Sequence, residues 1–350
     1  MTLDEAVALS LLPELSRVGL ADRLRADDPV LLEAARRLHD RAHGVRMRAE
    51  ADGAGVLAWN DPRFPAPLLA IPDVPPVLWY RGALDALCAP AVAVVGSRAA
   101  SAVALETAER LGADLAALGI TVVSGLARGV DSAAHRGALR SARTIAVLGS
   151  GVDTVYPHEH SSLAAEISRL GLVLSEYPPG TPPLAFHFPM RNRLISGLSR
   201  VVVVIETNEK SGLLITAACA LEQGRDVMAV PGNVLSGRNR DAHALIRDGA
   251  KIVECADDIV EELGWPGAAA PASAAASSGT RTGTYEDPLL PLMHAGQAYD
   301  LEGLAAVAGL NGVRLLPRLL ELELQGWCNG SKAAVSCGGC ERVSVNSKGT

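Results

Sequence analysis

Residues 91–98, Ala91-Val-Ala-Val-Val95 followed by Gly96-Ser97-Arg98, decide the fold. Five apolar residues in an unbroken run make a short strand covered on both faces, as parallel sheets require. The glycine behind them lets the backbone turn tightly. Similar runs return at Ile120-Thr-Val-Val123, Thr144-Ile-Ala-Val-Leu148, Leu172-Val-Leu174, Val201-Val-Val-Val-Ile205, Val227-Met-Ala-Val230 and Lys251-Ile-Val253. Between the first two, Ala104, Ala108, Leu111, Leu115 and Leu118 fall at helical spacing, and Gly119 is placed to end the helix. The other gaps are long enough for helical crossovers. The spacing predicts an α/β fold, an extended Rossmann-like, doubly wound and mostly parallel sheet.

Outward from this core the composition changes. Leu3, Val7 and Leu11, then Leu31, Leu32, Ala35 and Leu38, mark a small N-terminal helical (SAM-like) domain over 1–56. The proline-rich stretch 59–84 cannot be one helix and leads into the sheet, so the central domain is expected over 57–265. Residues 266–284 are an Ala/Ser/Gly/Pro linker. Leu301, Leu304, Ala305 and Val307, a Gly309-Leu-Asn-Gly312 break and Leu315 to Leu322 give a winged-helix-like rhythm over 285–330. From 328 the composition shifts to Ser, Gly, Lys, Asn, Val and half of all the cysteines, and 331–350 is a tail expected to be disordered. Within it Cys337-Gly-Gly-Cys340 is half of a zinc knuckle. Only Cys328 is near, so four ligands are lacking and no metal is expected.

The 350 residues carry a net charge of −7, which excludes a wholly basic nucleic-acid protein but not a basic site on an acidic body. Aromatics are 3% of residues, so Ala, Val, Leu and Gly build the core. No charge-free apolar run reaches 18 residues, and the N-terminus has acids where a secretory signal has bases. Without a disulfide framework the cytoplasm is the expected location, with no membrane partner.

Ligands of an open α/β sheet bind beyond the C-terminal ends of its strands. Gly96-Ser97-Arg98 offers a close backbone approach, a helix cap and a phosphate-gripping fork. Ser124-Gly125-Leu-Ala-Arg128-Gly129-Val-Asp131 is a loop whose amides can face an anion, with Asp131 as candidate N-cap of a helix over 132–140. A Ser124/Asp131/His135 triad lacks the nucleophile-elbow glycines, so His135 reads better as a packed or solvated helix residue. Gly149-Ser150-Gly151 lacks the third glycine of a dinucleotide fingerprint, Thr154 standing there. Arg191, Arg193 and Arg200 lie in an acid-free stretch beside Phe186 and Phe188. That composition suits single strands held by charge and stacking, or an Arg set paired with carboxylates. Lys210-Ser211-Gly212 opens a helix over 213–223 that closes at Gly224, a place that suits an anion.

Read together, these pieces resemble the DNA-processing protein A family (DprA/Smf). The resemblance is carried by Val95-Gly-Ser-Arg98, Ser124 to His135, Gly149-Ser-Gly-Val-Asp153 with Tyr156-Pro157, and Ser175-Glu-Tyr-Pro-Pro-Gly180. Phe188-Pro-Met-Arg-Asn-Arg193 with Ile195-Ser-Gly197, Lys210-Ser-Gly212 and Val230-Pro-Gly-Asn233 complete the set, in family order over roughly 60–255. It implies a homodimer that binds single-stranded DNA, protects incoming strands and loads RecA recombinase during natural transformation. It implies no cofactor and no catalytic residue. By the same resemblance Gly96, Ser97, Arg98, Gly125, Arg191, Asn192, Arg193, Lys210, Ser211 and Gly212 line the DNA site. Leu213 stands where the family often has a small Ser, and the tail after Trp327 does not look like a family C-terminus. The rival reading is a phosphoribohydrolase-like nucleotide enzyme on a related fold. Its Pro-Gly-Gly-x-Gly-Thr-x-x-Glu signature is missing from residues 207–215. An NAD oxidoreductase lacks its fingerprint as well.

Overall fold

The computed structural model describes residues 1–12, 19–207, 213–265, 289, 298–299, 301–308, 315, 317–319, 322, 328–331 and 334–337. It has two compact units, Met1–Ala269 and Ala270–Thr350.

The first unit opens with α1 (Leu3–Ser10), α2 (Leu20–Arg25), α3 (Pro29–Arg37) and α4 (His39–Ala51). Thr2 and Glu5 close a reciprocal capping box on α1, and Asp28 caps α3 ahead of its N1 proline. β1 (Gly55–Ala58), α5 (Ala66–Leu69) and β2 (Val77–Gly82) follow. The crossovers are then β3 (Ala91–Gly96), α6 (Ala102–Ala117), β4 (Thr121–Ser124), α7 (Val130–Leu139), β5 (Thr144–Val147), α8 (Ser161–Leu170) and β6 (Leu172–Ser175). The second winding has α9 (His187–Leu198), β7 (Val201–Ile205), α10 (Leu213–Glu222), β8 (Asp226–Ala229), α11 (Arg240–Arg247), β9 (Lys251–Ile252) and α12 (Ala256–Leu263).

Nine described strands form one sheet in the order β1-β2-β6-β5-β4-β3-β7-β8-β9. Pairing is parallel from β6 to β9, while β1 and β2 run antiparallel at one end. The chain winds outward from β3 to β6, then returns beside β3 with β7. The switch point, where loops diverge and leave a crevice, therefore lies between β3 and β7.

The unbroken apolar runs have a direct cause. Along β3, Val92 and Val94 pack with α6 and α7, while Ala93 and Val95 pack with α9 and α10. β7 does the same, with Val201 and Val203 on one face and Val202 and Val204 on the other. The last run differs from expectation: Lys251 and Ile252 of β9 are exposed, because β9 is an edge strand. The N-terminal helices share one core with the antiparallel end of the sheet. Leu9, Leu24, Leu31 and Ala49 join Trp79, Leu148, Ile167 and Val173 in it. β1 crosses the 56/57 boundary that composition suggests, because its residues pair with β2.

In the second unit, β10 (Ala298–Tyr299), α13 (Leu301–Ala308), β11 (Cys328–Ser331) and β12 (Ala334–Cys337) are described, and the strands pair antiparallel as β10-β12-β11. The segment expected to be a disordered tail from 331 thus contributes β12. Its four residues, Ala-Val-Ser-Cys, are too short a run to stand out from the segment around them. The Gly309–Gly312 break and Cys340 lie outside the described residues.

Candidate nucleic-acid interface

The C-terminal ends of β3, β4 and β5 and the start of α9 meet at one rim. β3 ends at Gly96, and the Ser97 amide donates to the Glu206 carbonyl at 2.8 Å. Arg98 is then exposed, its guanidinium carbon 5.8 Å from the Phe188 ring centroid. Phe188 is half-buried and its ring lies 5.4 Å from that of the exposed Tyr156, tilted by 45°. Phe186, 64% exposed, packs edge-on against His187, which stacks on Tyr177 at 3.9 Å. Arg98, Phe188 and Tyr156 therefore share one open surface, the kind of platform that holds phosphate by charge and bases by stacking.

The loop after β4 is held from inside. Leu126 adopts a left-handed backbone at φ 59, and the buried Asp131 carboxylate accepts from the amides of Gly125 at 3.1 Å and Ala127 at 3.3 Å. These amides thus serve an internal anion rather than an external one. The helix N-cap is Gly129, with Asp131 inside the first turn of α7, not at its cap. At Gly129 the φ of 79 and the close approach to the Ser97 carbonyl exclude a side chain, and the Val130 amide donates to that carbonyl at 3.2 Å.

Arg191 and Arg193, expected on the DNA, are 3% and 5% exposed. Both sit in α9, where residues two apart point in nearly opposite directions. Arg191 donates from Nη1 to the carbonyls of Gly125 and Val147, binding the ends of β4 and β5, and a side chain at Gly125 would collide with it. Burial lowers the Arg191 pKa to about 10, so the guanidinium remains cationic at neutral pH. Burial also pushes the Asp131 carboxyl upward, opposed by Arg191 and the two loop amides. Arg193 turns the other way, with Nη2 2.5 Å from Glu176 and Nε 2.9 Å from Asp73. The buried Arg193 and Glu176 and the half-buried Asp73 line a cavity of about 540 Å³, with Leu9, Leu12, Phe186 and Met190 on its walls. Arg98 is not among the lining residues of that cavity. Asn192 is half-buried, and Lys210, Ser211 and Gly212 lie outside the described residues.

The enzyme readings can be weighed on the same geometry. Ser124 Oγ donates to the Val94 carbonyl at 2.6 Å, Asp131 is occupied by loop amides, and His135 Nδ1 is 2.6 Å from Thr144 Oγ1. Serine, aspartate and histidine therefore have separate partners and form no relay. The start of α6, where a Rossmann pyrophosphate would sit, is occupied by the Glu206 carboxylate. It accepts from the Ser101 amide at 2.8 Å and from the Ser101 hydroxyl. A second anion there would face a carboxylate within a few ångströms.

His135 also gives a pH signature. Burial, reinforced by the positive charge of Arg191, lowers its pKa to about 3, whereas the unfolded chain takes up the proton near 6.5. Its contribution is complete above pH 6.5 and is lost as the pH falls from there toward 3. His135→Gln is expected to flatten this dependence. Between pH 7 and pH 5 the parent should lose about 2 kcal/mol more stability than the variant, measured by urea unfolding at both pH values.

Two features of the rim were not read from sequence. Tyr156 enters the sequence reading only as part of a motif, and Glu206 does not enter it. A tyrosine joined to Pro157 in the loop after the Thr144–Leu148 run was an available signal for the first. Nothing local signals the second.

The sequence agrees with this geometry on a wider scale. Residues 55–264 match the family described as DNA recombination-mediator protein A. The chain belongs to that family. It is 47% identical over 204 residues to DNA processing protein DprA of Streptococcus pneumoniae, covering 58% of this chain and 72% of the relative. To Protein Smf of Escherichia coli it is 41% identical over 271 residues, 75% of this chain and 72% of the relative. The X-ray structure of the Streptococcus pneumoniae DprA superposes with a TM-score of 0.66 at 36% identity, over 75% of this chain and 98% of that one. A Helicobacter pylori DNA processing protein A, solved for its single-stranded DNA binding mode, superposes with a TM-score of 0.54 at 28% identity, over 60% and 95%. The recombination-mediator family match coincides with the nine-stranded sheet. It begins at β1 and ends just after α12. Among the described residues no helix is long and apolar enough to cross a membrane.

Proposed function

We propose that this chain binds single-stranded DNA along the rim formed by Gly96, Ser97, Arg98, Tyr156 and Phe188, and acts as a recombination mediator without catalysis. The observation that carries the reading is the exposed Arg98 guanidinium set beside the Phe188 and Tyr156 rings. Gly125 and Arg191 support this surface from within, and Asn192, Arg193, Lys210, Ser211 and Gly212 belong to the site by family resemblance alone. The same resemblance supports a cytoplasmic homodimer that delivers strands to RecA during natural transformation. Occupation of the α6 N-terminus by Glu206 weighs against the nucleotide-enzyme reading. The phosphoribohydrolase rival requires adenine release from AMP, which is expected not to occur.

Fluorescence anisotropy with labelled oligothymidylate tests the site. Arg98→Ala is expected to weaken binding by about 1.5–3 kcal/mol, the range for a hydrogen bond to a charged group. Phe188→Ala should cost about 1–3 kcal/mol through lost base stacking. Affinity of the parent should fall with salt by roughly 0.7 log unit per log unit for each neutralised phosphate. Unchanged binding in both variants would remove the site from this rim. Light scattering and a RecA strand-exchange assay test the two partners separately.

A further inference from the structure

The loop from Gly96 to Ser101 is gripped by two residues far away in the chain. Glu206, at the end of β7, is 4% exposed and adopts a left-handed backbone at φ 43, a strained conformation for a side chain with a Cβ. Its carbonyl accepts from Ser97 and its carboxylate from Ser101, so it fixes both ends of the loop. From beyond β8 comes Arg238. Its Nη1 donates to the Ala99 carbonyl at 2.9 Å and lies 3.6 Å from Glu206 Oε1.

Arg238 does more than complete the grip. Its side chain is 48% exposed. A guanidinium has five N–H donors, and among the described residues this one meets Ala99 and Glu206. The Glu206 carboxylate is already satisfied by two donors from Ser101. Ala99 is the neighbour of Arg98, so two guanidinium groups flank one short loop on the exposed side. The turn leading to Arg238, Val234–Ser236, carries Val234 and Leu235 at 75% and 91% exposure. β3 and β8 stand two strand spacings apart, roughly 10 Å, with β7 between them. A strand held at Arg98 must advance along the rim to reach Arg238.

We infer that Arg238 is a second phosphodiester subsite of the DNA tract, and that Leu235 offers an apolar face to a base beside it. The subsite rests on the single-strand reading above and gives the strand a direction, from Tyr156 and Phe188 past Arg98 toward the loop after β8. It assigns Glu206 the part of a positioning residue that holds Arg98 and Arg238 on a common loop.

The test uses the full chain and labelled oligothymidylate at two salt concentrations, with Arg98→Ala as reference. Arg238→Gln is expected to weaken binding about fivefold, the upper end for an exposed charge contact. It should lower the salt slope by roughly 0.7, one phosphate on a single strand. Leu235→Ser should weaken binding with the parental slope. A weakened Arg238→Gln that keeps the full slope would make Arg238 a loop brace only and overturn the subsite. So would parental affinity in Arg238→Gln while Arg98→Ala is impaired, and there the DNA reading itself would stand. Absence of binding by the parent chain would overturn both.

Discussion

Arg191→Met is expected to cost about 3–5 kcal/mol of folding stability, because two buried carbonyls lose a charged donor worth about 1.5–3 kcal/mol each. The reason is local. Its Nη1 serves the carbonyls of Gly125 and Val147, and its charge opposes the desolvation of Asp131. Methionine fills much of the space but leaves two carbonyls and a carboxylate buried without that partner. Denaturant unfolding of parent and variant reads the loss directly. A variant as stable as the parent would mean that the guanidinium is not needed to join β4 and β5.

Arg193→Met is the second large effect, again about 3–5 kcal/mol, because it leaves Glu176 and Asp73 facing each other without their shared cation. Denaturant unfolding of parent and variant reads the loss, and a variant as stable as the parent would mean that the two ion pairs contribute nothing net. For both arginines the expected signature is a loss of stability larger than the loss of DNA affinity in the folded fraction.

These two residues show where sequence stops being informative. Arg191 and Arg193 look alike along the chain: cationic, close to Phe188, with no acid among them. Their partners, Asp131, Glu176 and Asp73, lie 60, 17 and 120 positions away and arrive only through the sheet order. The spacing of two residues on α9 then sends the two side chains apart, so they cannot converge on one phosphate. The strands were legible because burial on both faces leaves a run such as Val201–Ile205 no room for polar residues. The helix from Ala102 to Ala117 was legible because its apolar stripe and terminal glycine are local signals. The antiparallel β2 was hidden by the prolines around it, and β1 and β12 by their length of four residues each. At the rim, Arg98 was readable because a βα turn at the switch point projects its residues outward whatever the rest of the chain does. Glu206 and Arg238 were not, since each matters only through a loop about a hundred residues or more away in sequence.

A complex with a short oligothymidylate, solved crystallographically, bears most directly on where the strand lies. A phosphate within hydrogen-bond reach of Arg98, with a base against Phe188 or Tyr156, is the predicted result. A strand seated on another face of the sheet, with Arg98 left in solvent, would contradict it.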